Sequence, residues 1–395
     1  MKFCAVICEY NPFHNGHKYQ LEQIRRLSGC DRILCLMSGN FTQRGDAAVF
    51  DKFTRARHAV ENGADVVLEL PAAFAVAPAE IFASGAVHIL SSIPAVTTLA
   101  FGCESGTKEG FLQAAKATLS EDKIFKALLK ENMKDGTSYV KARTKTVLQL
   151  NHDVDEALLS APNNILGTEY CRAILSQNGK IEPLPIPRVG GGYADASLLK
   201  EFSSATALRL AMKDKDNKKT VKLLKGNLPA SVFKDLEKYR ETPYKQAAVC
   251  ALLSELPEDV MKCVDCSEGL ENRLRAMAKS NPDYDAMLEK VVSKRYTLSR
   301  LKRILAQNFL GLTRRDVRSF QESPLYCKVL AVSRKDNADI LGALSKGSFP
   351  VLARKSDMGA LKKDALACFE TDIRANDLYN VLSGSFTNYN ETLFI

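Results

Sequence analysis

The sequence predicts an α/β protein: a doubly wound parallel-sheet domain, followed by a mainly helical basic region with a small terminal α/β element. Three observations carry this. Short apolar runs alternate with helical segments through residues 1–103. The polar and glycine clusters that interrupt the pattern follow those runs, at the strand ends where parallel sheets bind ligands. Past about Asp214 the strand signals give way to amphipathic helical spacing rich in Lys and Arg.

Residues 3–8 form the first apolar run, a buried strand, and 16–27 space their apolar residues as a helix. Residues 32–37 are a second strand, 51–62 a helix ending at Gly63, and 65–70 a third strand stopped by Pro71. Residues 79–91 are helical, and 96–101 form a fourth strand closed by Gly102. Strands of five or six residues alternating with helices are βαβ units, whose crossovers make the sheet parallel.

Residues 108–150 are helical and charged, and 162–167 break that pattern before a helix over 168–175. Three prolines in 181–188 demand an edge strand, because proline cannot donate to a ladder. Residues 190–193 (Gly-Gly-Gly-Tyr) form a loop suited to a lid, and Ser203 and Ser204 are N-cap candidates for the next helix. Helical runs follow at 244–256, 271–279 and 284–306, then a βαβ-like end at 326–332, 339–344 and 349–353. The expected division is a nucleotide-binding catalytic domain over 1–214 and a basic RNA-binding domain over 215–395.

Composition narrows the class. The chain has 395 residues, 46% hydrophobic and 26% charged, which suits two or three domains with real cores. No apolar run approaches a membrane span, and the N-terminus lacks the layout of a secretory signal. Eleven scattered cysteines, an odd number, fit a reducing cytoplasm better than a disulfide framework. Cys4, Cys8, Cys35 and Cys103 lie in or beside apolar runs as small core residues. The single Cys263-Val-Asp-Cys266 lacks the second pair of a zinc ribbon and is read as helix, so no metal ligand is assigned. A net charge of +9 favours a polyanionic partner.

The reaction type is written at the first strand end. His14 and His17 flank Gly16 where a strand gives way to a helix, a junction that offers backbone N–H groups and a positive dipole end to an anion. Two imidazoles there suit attack on the α-phosphate of a nucleoside triphosphate. Ser204 and Thr206 open a late helix carrying Arg209, a group suited to a pyrophosphate leaving group, although a capped helix with an exposed Arg has the same pattern. The polar string from Gly39 to Asp46 follows the second strand and faces the same region. Asn163 or Asn164 is suited to a base or ribose and Arg188 to phosphate or adenine. Lys290, Lys294, Arg295, Arg300, Lys302, Arg303, Arg314 and Arg315 fall in a stretch with no acid, an RNA-backbone pattern with Tyr296 and Phe309 available for stacking.

The pair of motifs resembles the nucleotidyltransferase superfamily, with Ala205 where many members have Ser and Leu208 where many have Ile. The longer strings are more specific. Glu9-Tyr-Asn-Pro-Phe-His-Asn-Gly-His17, Met37-Ser-Gly-Asn-Phe-Thr-Gln-Arg-Gly45, Glu69-Leu-Pro71, Pro162-Asn-Asn-Ile-Leu-Gly167 and Ser204-Ala-Thr206 resemble the bacterial tRNA(Met) cytidine acetate ligase family. The resemblance implies a Rossmann-like fold and ATP-dependent activation of acetate as acetyladenylate. It further implies acetylation of N4 of the wobble cytidine of elongator tRNA(Met), yielding AMP and pyrophosphate. Carried over by motif, ATP contacts come from Ile7, Cys8, Glu9, Tyr10, Asn11, Pro12, Phe13, His14, Asn15, Gly16, His17, Lys18, Tyr19, Gln20, Gly102, Asn163 and Arg188, with Ser204 and Thr206 added from the late motif. His14, His17 and Arg209 are the catalytic candidates for adenylation, and Asp46 is the candidate base for cytidine N4. Magnesium is expected with ATP, the RNA partner is the tRNA anticodon loop, and no membrane or protein partner is expected. The competing reading is an adenylyltransferase acting on a small phosphorylated acceptor, which leaves the basic second half unexplained.

Overall fold

The computed structural model describes residues 1–119, 122–134, 137–177, 179–188, 201–267 and 269–395. The loop expected at 190–193 lies outside the described residues.

Strands β1 (Phe3–Cys8), β2 (Arg32–Ser38), β3 (Val66–Leu70), β4 (Val96–Cys103) and β5 (Glu182–Pro187) lie in the order β5-β4-β1-β2-β3. All four contacts between them are parallel. Alternate residues serve opposite layers, as the pleat requires. Phe3 and Ala5 join the core cluster of the Ala79–Ser91 and Pro162–Ser176 helices. Cys4 and Val6 join that of the Asn15–Leu27 and Lys52–Glu61 helices. β5 sits at the sheet edge with Pro183, Pro185 and Pro187, so no neighbour lacks a donor. From β1 the chain winds to β2 and β3 on one side and later to β4 and β5 on the other. The switch point therefore lies between β1 and β4, where doubly wound sheets bind ligands.

Three local expectations need correction. Residues 162–167 do not precede the next helix but begin it: Pro162 is the first residue of Pro162–Ser176, where its missing N–H costs nothing. The run 284–306 is two helices, Tyr284–Val291 and Leu298–Leu310, separated by a turn in which the Ser293 N–H donates to the Tyr296 carbonyl, with Thr297 capping the second. Cys263 and Cys266 lie in a turn rather than a helix.

The terminal element forms as expected: β6 (Cys327–Val332) and β7 (Val351–Leu352) are parallel, with helix Asn337–Leu344 between them. β6 also pairs antiparallel with β3, matching Val66 to Val332, and takes β8 (Leu393–Phe394) on its other side. The late strands thus extend the first sheet. The helix Lys363–Ser383 lies against the loop after β2, where the Tyr379 hydroxyl donates to the Ala48 carbonyl at 2.9 Å.

All eleven cysteines are free thiols. Burial pushes the Cys263 and Cys266 thiols up to about 12, and Arg314 donates to both of their carbonyls. These are packing residues. Among the described residues no group of three potential ligands could hold a metal, and no helix is long and apolar enough to cross a membrane.

Candidate active site

A crevice opens over the carboxyl ends of β1, β2, β4 and β5. Its walls include Glu9, His14 and His17 after β1, Thr42 to Asp46 except Gly45 after β2, Gly102 on β4, Arg188 after β5, and Ser204, Thr206 and Arg209 from the late helix. Asn163 completes one wall. Segments far apart in sequence therefore meet at one place.

The histidines are held by the backbone of their own helix. His14 caps helix Asn15–Leu27, its Nδ1 accepting from the Gly16 N–H at 3.1 Å, while the His14 N–H donates to His17 Nδ1 at 3.3 Å. Each Nδ1 is an acceptor, so a neutral ring carries its proton on Nε2. The rings stack with centroids 3.7 Å apart. A Cβ on residue 16 would lie 2.9 Å from His14 Cε1, so only glycine lets the ring fold over the helix start. Burial, then Arg188 and Arg209, push the His14 imidazole down to about 3. Burial, His14 and Arg188 lower His17 well below its ordinary value. Both rings are neutral Nε2–H donors near neutral pH.

The other walls are tied to this loop. Arg209 donates to the Asn11 carbonyl at 2.8 Å and to Thr206 Oγ1 at 3.1 Å, and Ser204 caps the Arg209 helix by accepting from the Ala207 N–H at 3.0 Å. The Arg188 N–H continues the β4–β5 ladder onto the Cys103 carbonyl, which places its side chain beside Gly102. Arg188 Nη1 lies 3.5 Å from Asn163 Oδ1. The two asparagines separate in role. Asn163 faces the crevice, whereas Asn164 is fully buried and bonds the Ala157 carbonyl, Ser105 and the Glu104 N–H.

Two supporting residues, Glu104 and Arg55, were not foreseen. Glu104 accepts from the N–H groups of Asn163 and Asn164 and from the Asn163 amide, fixing that wall. Arg55 is fully buried and donates to the carbonyls of Glu9, Ser38, Gly39 and Phe50, satisfying the ends of β1 and β2 together. Glu9 accepts from the Gln43 N–H at 2.7 Å, and burial raises its carboxyl. An arginine at helical spacing carries no local sign that it will serve two distant strand ends; only the strand pairing reveals it. Glu69, which opens the Glu69-Leu-Pro71 string on β3, forms a buried pair with Lys52 at 2.8 Å. Gly39 lies above that pair, and a Cβ there would stand 2.5 Å from Glu69 Oε1.

Asp46 lines the crevice and pairs with Lys302 at 2.9 Å. The structure divides the eight basic candidates. Lys290, Lys294, Arg295, Arg314 and Arg315 are exposed, Arg314 with its guanidinium bonded to the protein. Arg300 donates to the Asp265 carbonyl through Nε and Nη2 at 3.0 and 2.6 Å, Lys302 holds Asp46, Arg303 is largely buried near Asp265, and Arg314 serves three carbonyls. The aromatic partners proposed for RNA face inward. Phe309 packs on Phe41 and Tyr244, and Tyr296 is 8% exposed with Arg300 over its ring.

Comparison with known proteins agrees with this fold. A family model described as HIGH Nucleotidyl Transferase matches residues 1–392. A Clostridium botulinum (strain Langeland) protein named tRNA(Met) cytidine acetate ligase is 35% identical over 408 residues, covering 100% of this chain and 97% of the relative. A protein of the same name from Acetivibrio thermocellus is 34% identical, covering 96% and 94%. The apo crystal structure of Thermotoga maritima TmcAL superposes with a TM-score of 0.92 at 30% identity over 100% of both chains. The structure of that protein bound with alpha-thio ATP gives 0.89 at the same identity and coverage.

Proposed function

Because the chain belongs to the HIGH nucleotidyl transferase family and, within it, to the tRNA(Met) cytidine acetate ligases, we propose that its crevice joins acetate to ATP and passes the acetyl group to a tRNA cytidine. The observation that carries the chemistry is the stacked pair of neutral imidazoles beside Arg188 and Arg209.

In the first step an acetate oxygen attacks the α-phosphorus of ATP. The new O–P bond forms as the bond to pyrophosphate breaks, and charge grows on the leaving oxygens. The Nε2–H groups of His14 and His17 stabilise the α-phosphoryl oxygens, and Arg209 with Ser204 and Thr206 receives the pyrophosphate. Neutral donors suit this role because they are fixed in place before ATP arrives, and the site holds less positive charge to desolvate. Gly102, Asn163 and Arg188 are the proposed contacts to the rest of the nucleotide. Magnesium, when bound with ATP, neutralises phosphate charge. Glu9 is held by Gln43 and Asp46 by Lys302, so the ion would arrive on the phosphates rather than sit in a protein cage.

In the second step cytidine N4 attacks the acetyl carbon, the C–O bond to AMP breaks, and N4 gives up a proton. Asp46 is the proposed acceptor. Asp46→Asn is expected to slow acetyl transfer at least tenfold relative to acetyladenylate formation; equal loss of both steps would remove Asp46 from that role. The exposed residues Lys290, Lys294, Arg295 and Arg315 are proposed to meet the RNA backbone, in keeping with action in the cytoplasm.

One assay tests the reaction. Protein, ATP and labelled acetate are incubated with and without tRNA. Label in tRNA, with one AMP released per acetyl group, is the expected result. AMP joined to a small phosphorylated acceptor, with no labelled tRNA, would replace this reading.

A further inference from the structure

A second basic surface adjoins the crevice from another side. The helix Lys218–Asn227 carries Lys218, Lys219, Lys222 and Lys225 and no acidic residue. At 100° per residue, Lys218, Lys222 and Lys225 fall on one stripe, opposite the buried Leu224 and Asn227. All four lysines are exposed, and among the described residues none forms an ion pair. The nearest acids in sequence, Asp214 and Asp216, precede the helix, and Asp214 accepts from the Thr220 hydroxyl. Like charges one turn apart disfavour a helix unless something outside it answers them.

The helix is anchored to the active site itself. The Asn15 side chain, between the two motif histidines, donates to the Gly226 carbonyl at 2.9 Å. The Asn227 side chain accepts from the N–H of Ser203, a crevice residue, at 2.7 Å. Leu224 shares a core cluster with Phe13, Leu208 and Met212, which back the histidine loop and the Arg209 helix. The stripe therefore stands at a fixed position beside the crevice. It is about 10 Å long, the reach of two or three consecutive phosphates.

We propose that the Lys218, Lys222 and Lys225 stripe binds the phosphodiester backbone of the tRNA and sets the strand that enters the crevice. The partner follows from charge complementarity and from continuity with the crevice, and the proposal rests on the tRNA reading above. It differs from a solvated face in one measurable respect: phosphate contacts release counterions and leave a salt dependence.

The test replaces Lys218, Lys222 and Lys225 together with Ala and measures tRNA affinity between 0.05 and 0.3 M salt. Loss of three contacts should weaken binding about 50- to 150-fold at 0.15 M and make the logarithmic salt slope shallower by about two to three. Arg at the three positions should restore both, and acetate-dependent ATP–pyrophosphate exchange without tRNA should stay at the unsubstituted rate, which also reports a folded crevice. Affinity and slope equal to those of the unsubstituted protein would overturn the proposal while leaving the ligase reading intact, provided the unsubstituted protein labels tRNA. If the unsubstituted protein binds tRNA through these lysines but transfers no acetate, the surface stands and the ligase reading fails.

Discussion

At the crevice, cations are crowded against one another. Burial, with Arg188 beside both imidazoles and Arg209 beside His14, holds both rings neutral. In helix Leu298–Leu310 and its flanks, cations are instead answered by the protein: Arg300 by the Asp265 carbonyl, Lys302 by Asp46, and Arg314 by the carbonyls of Met261, Cys263 and Cys266. The difference separates two uses of positive charge. Crowded, partly desolvated donors make a hole for an anion, because a bound phosphate relieves their repulsion. Cations seated on carbonyls tie segments together, and removing them costs fold before it costs ligand; Arg209, which donates to the Asn11 carbonyl while it crowds His14, shares both uses.

The sharpest way to break this comparison is His17→Ala. The substitution removes one pre-positioned donor from the crevice, and acetate-dependent ATP–pyrophosphate exchange should fall by about two to three orders of magnitude. Affinity for tRNA should persist, because the loop keeps its ties through Arg209 and Asn15. Exchange at a normal rate would show that the stacked pair is not the phosphate site.

The contrast also explains what could be read from the chain alone. The four parallel-strand ends and their polar clusters were legible because apolar alternation and glycines report backbone position, and backbone position fixes the crevice. His14, Asn163, Arg188 and Arg209 converge for that reason. Which cations of the basic stretch bond to the protein was not legible, because an acid-free run says nothing about carbonyl acceptors. Those belong to residues such as Asp265, far away in sequence and brought in by packing. Phe309 and Tyr296 were likewise placed as RNA-stacking aromatics, but Tyr296 is buried in the core and Phe309 packs half-buried against it. Phe309 lies toward the buried side of its helix and Tyr296 is buried in the turn before it, and neither burial follows from local composition. Glu69 and Lys52, 17 residues apart, show the same limit: only the fold reveals that they form a pair rather than two sites.

Arg300 tests the other half of the comparison. Its guanidinium donates twice to the Asp265 carbonyl and lies over the Tyr296 ring at 5.3 Å. Arg300→Met keeps the aliphatic stem and removes the charge-assisted bonds, so stability should drop by about 1.5–3 kcal/mol. Urea unfolding measures it as a lower midpoint at constant slope. A loss of tRNA affinity with no change in midpoint would move Arg300 from the tying class to the anion-binding class.

The smallest effect separates the two regions by pH. A histidine whose folded value is lowered is neutral in both states above its ordinary value of 6.5, and His14 falls to about 3 in the fold. Between these values the unfolded chain takes up a proton that the folded protein refuses. Stability from keeping His14 neutral is therefore complete above 6.5 and is lost as pH falls toward 3. The loss is at most about 1.4 kcal/mol per pH unit for each such histidine. His17 contributes with the same sign. The adenylation rate, measured by pyrophosphate exchange, should therefore show no limb between pH 6 and 7.5, since neither ring changes charge there. The stability of the unsubstituted protein should fall more steeply below pH 6 than that of His17→Gln, which has one fewer group to protonate on unfolding. A limb near 6.5 in the exchange rate, absent from His17→Gln, would mean that the crevice tolerates an imidazolium and is less crowded with positive charge than its geometry requires.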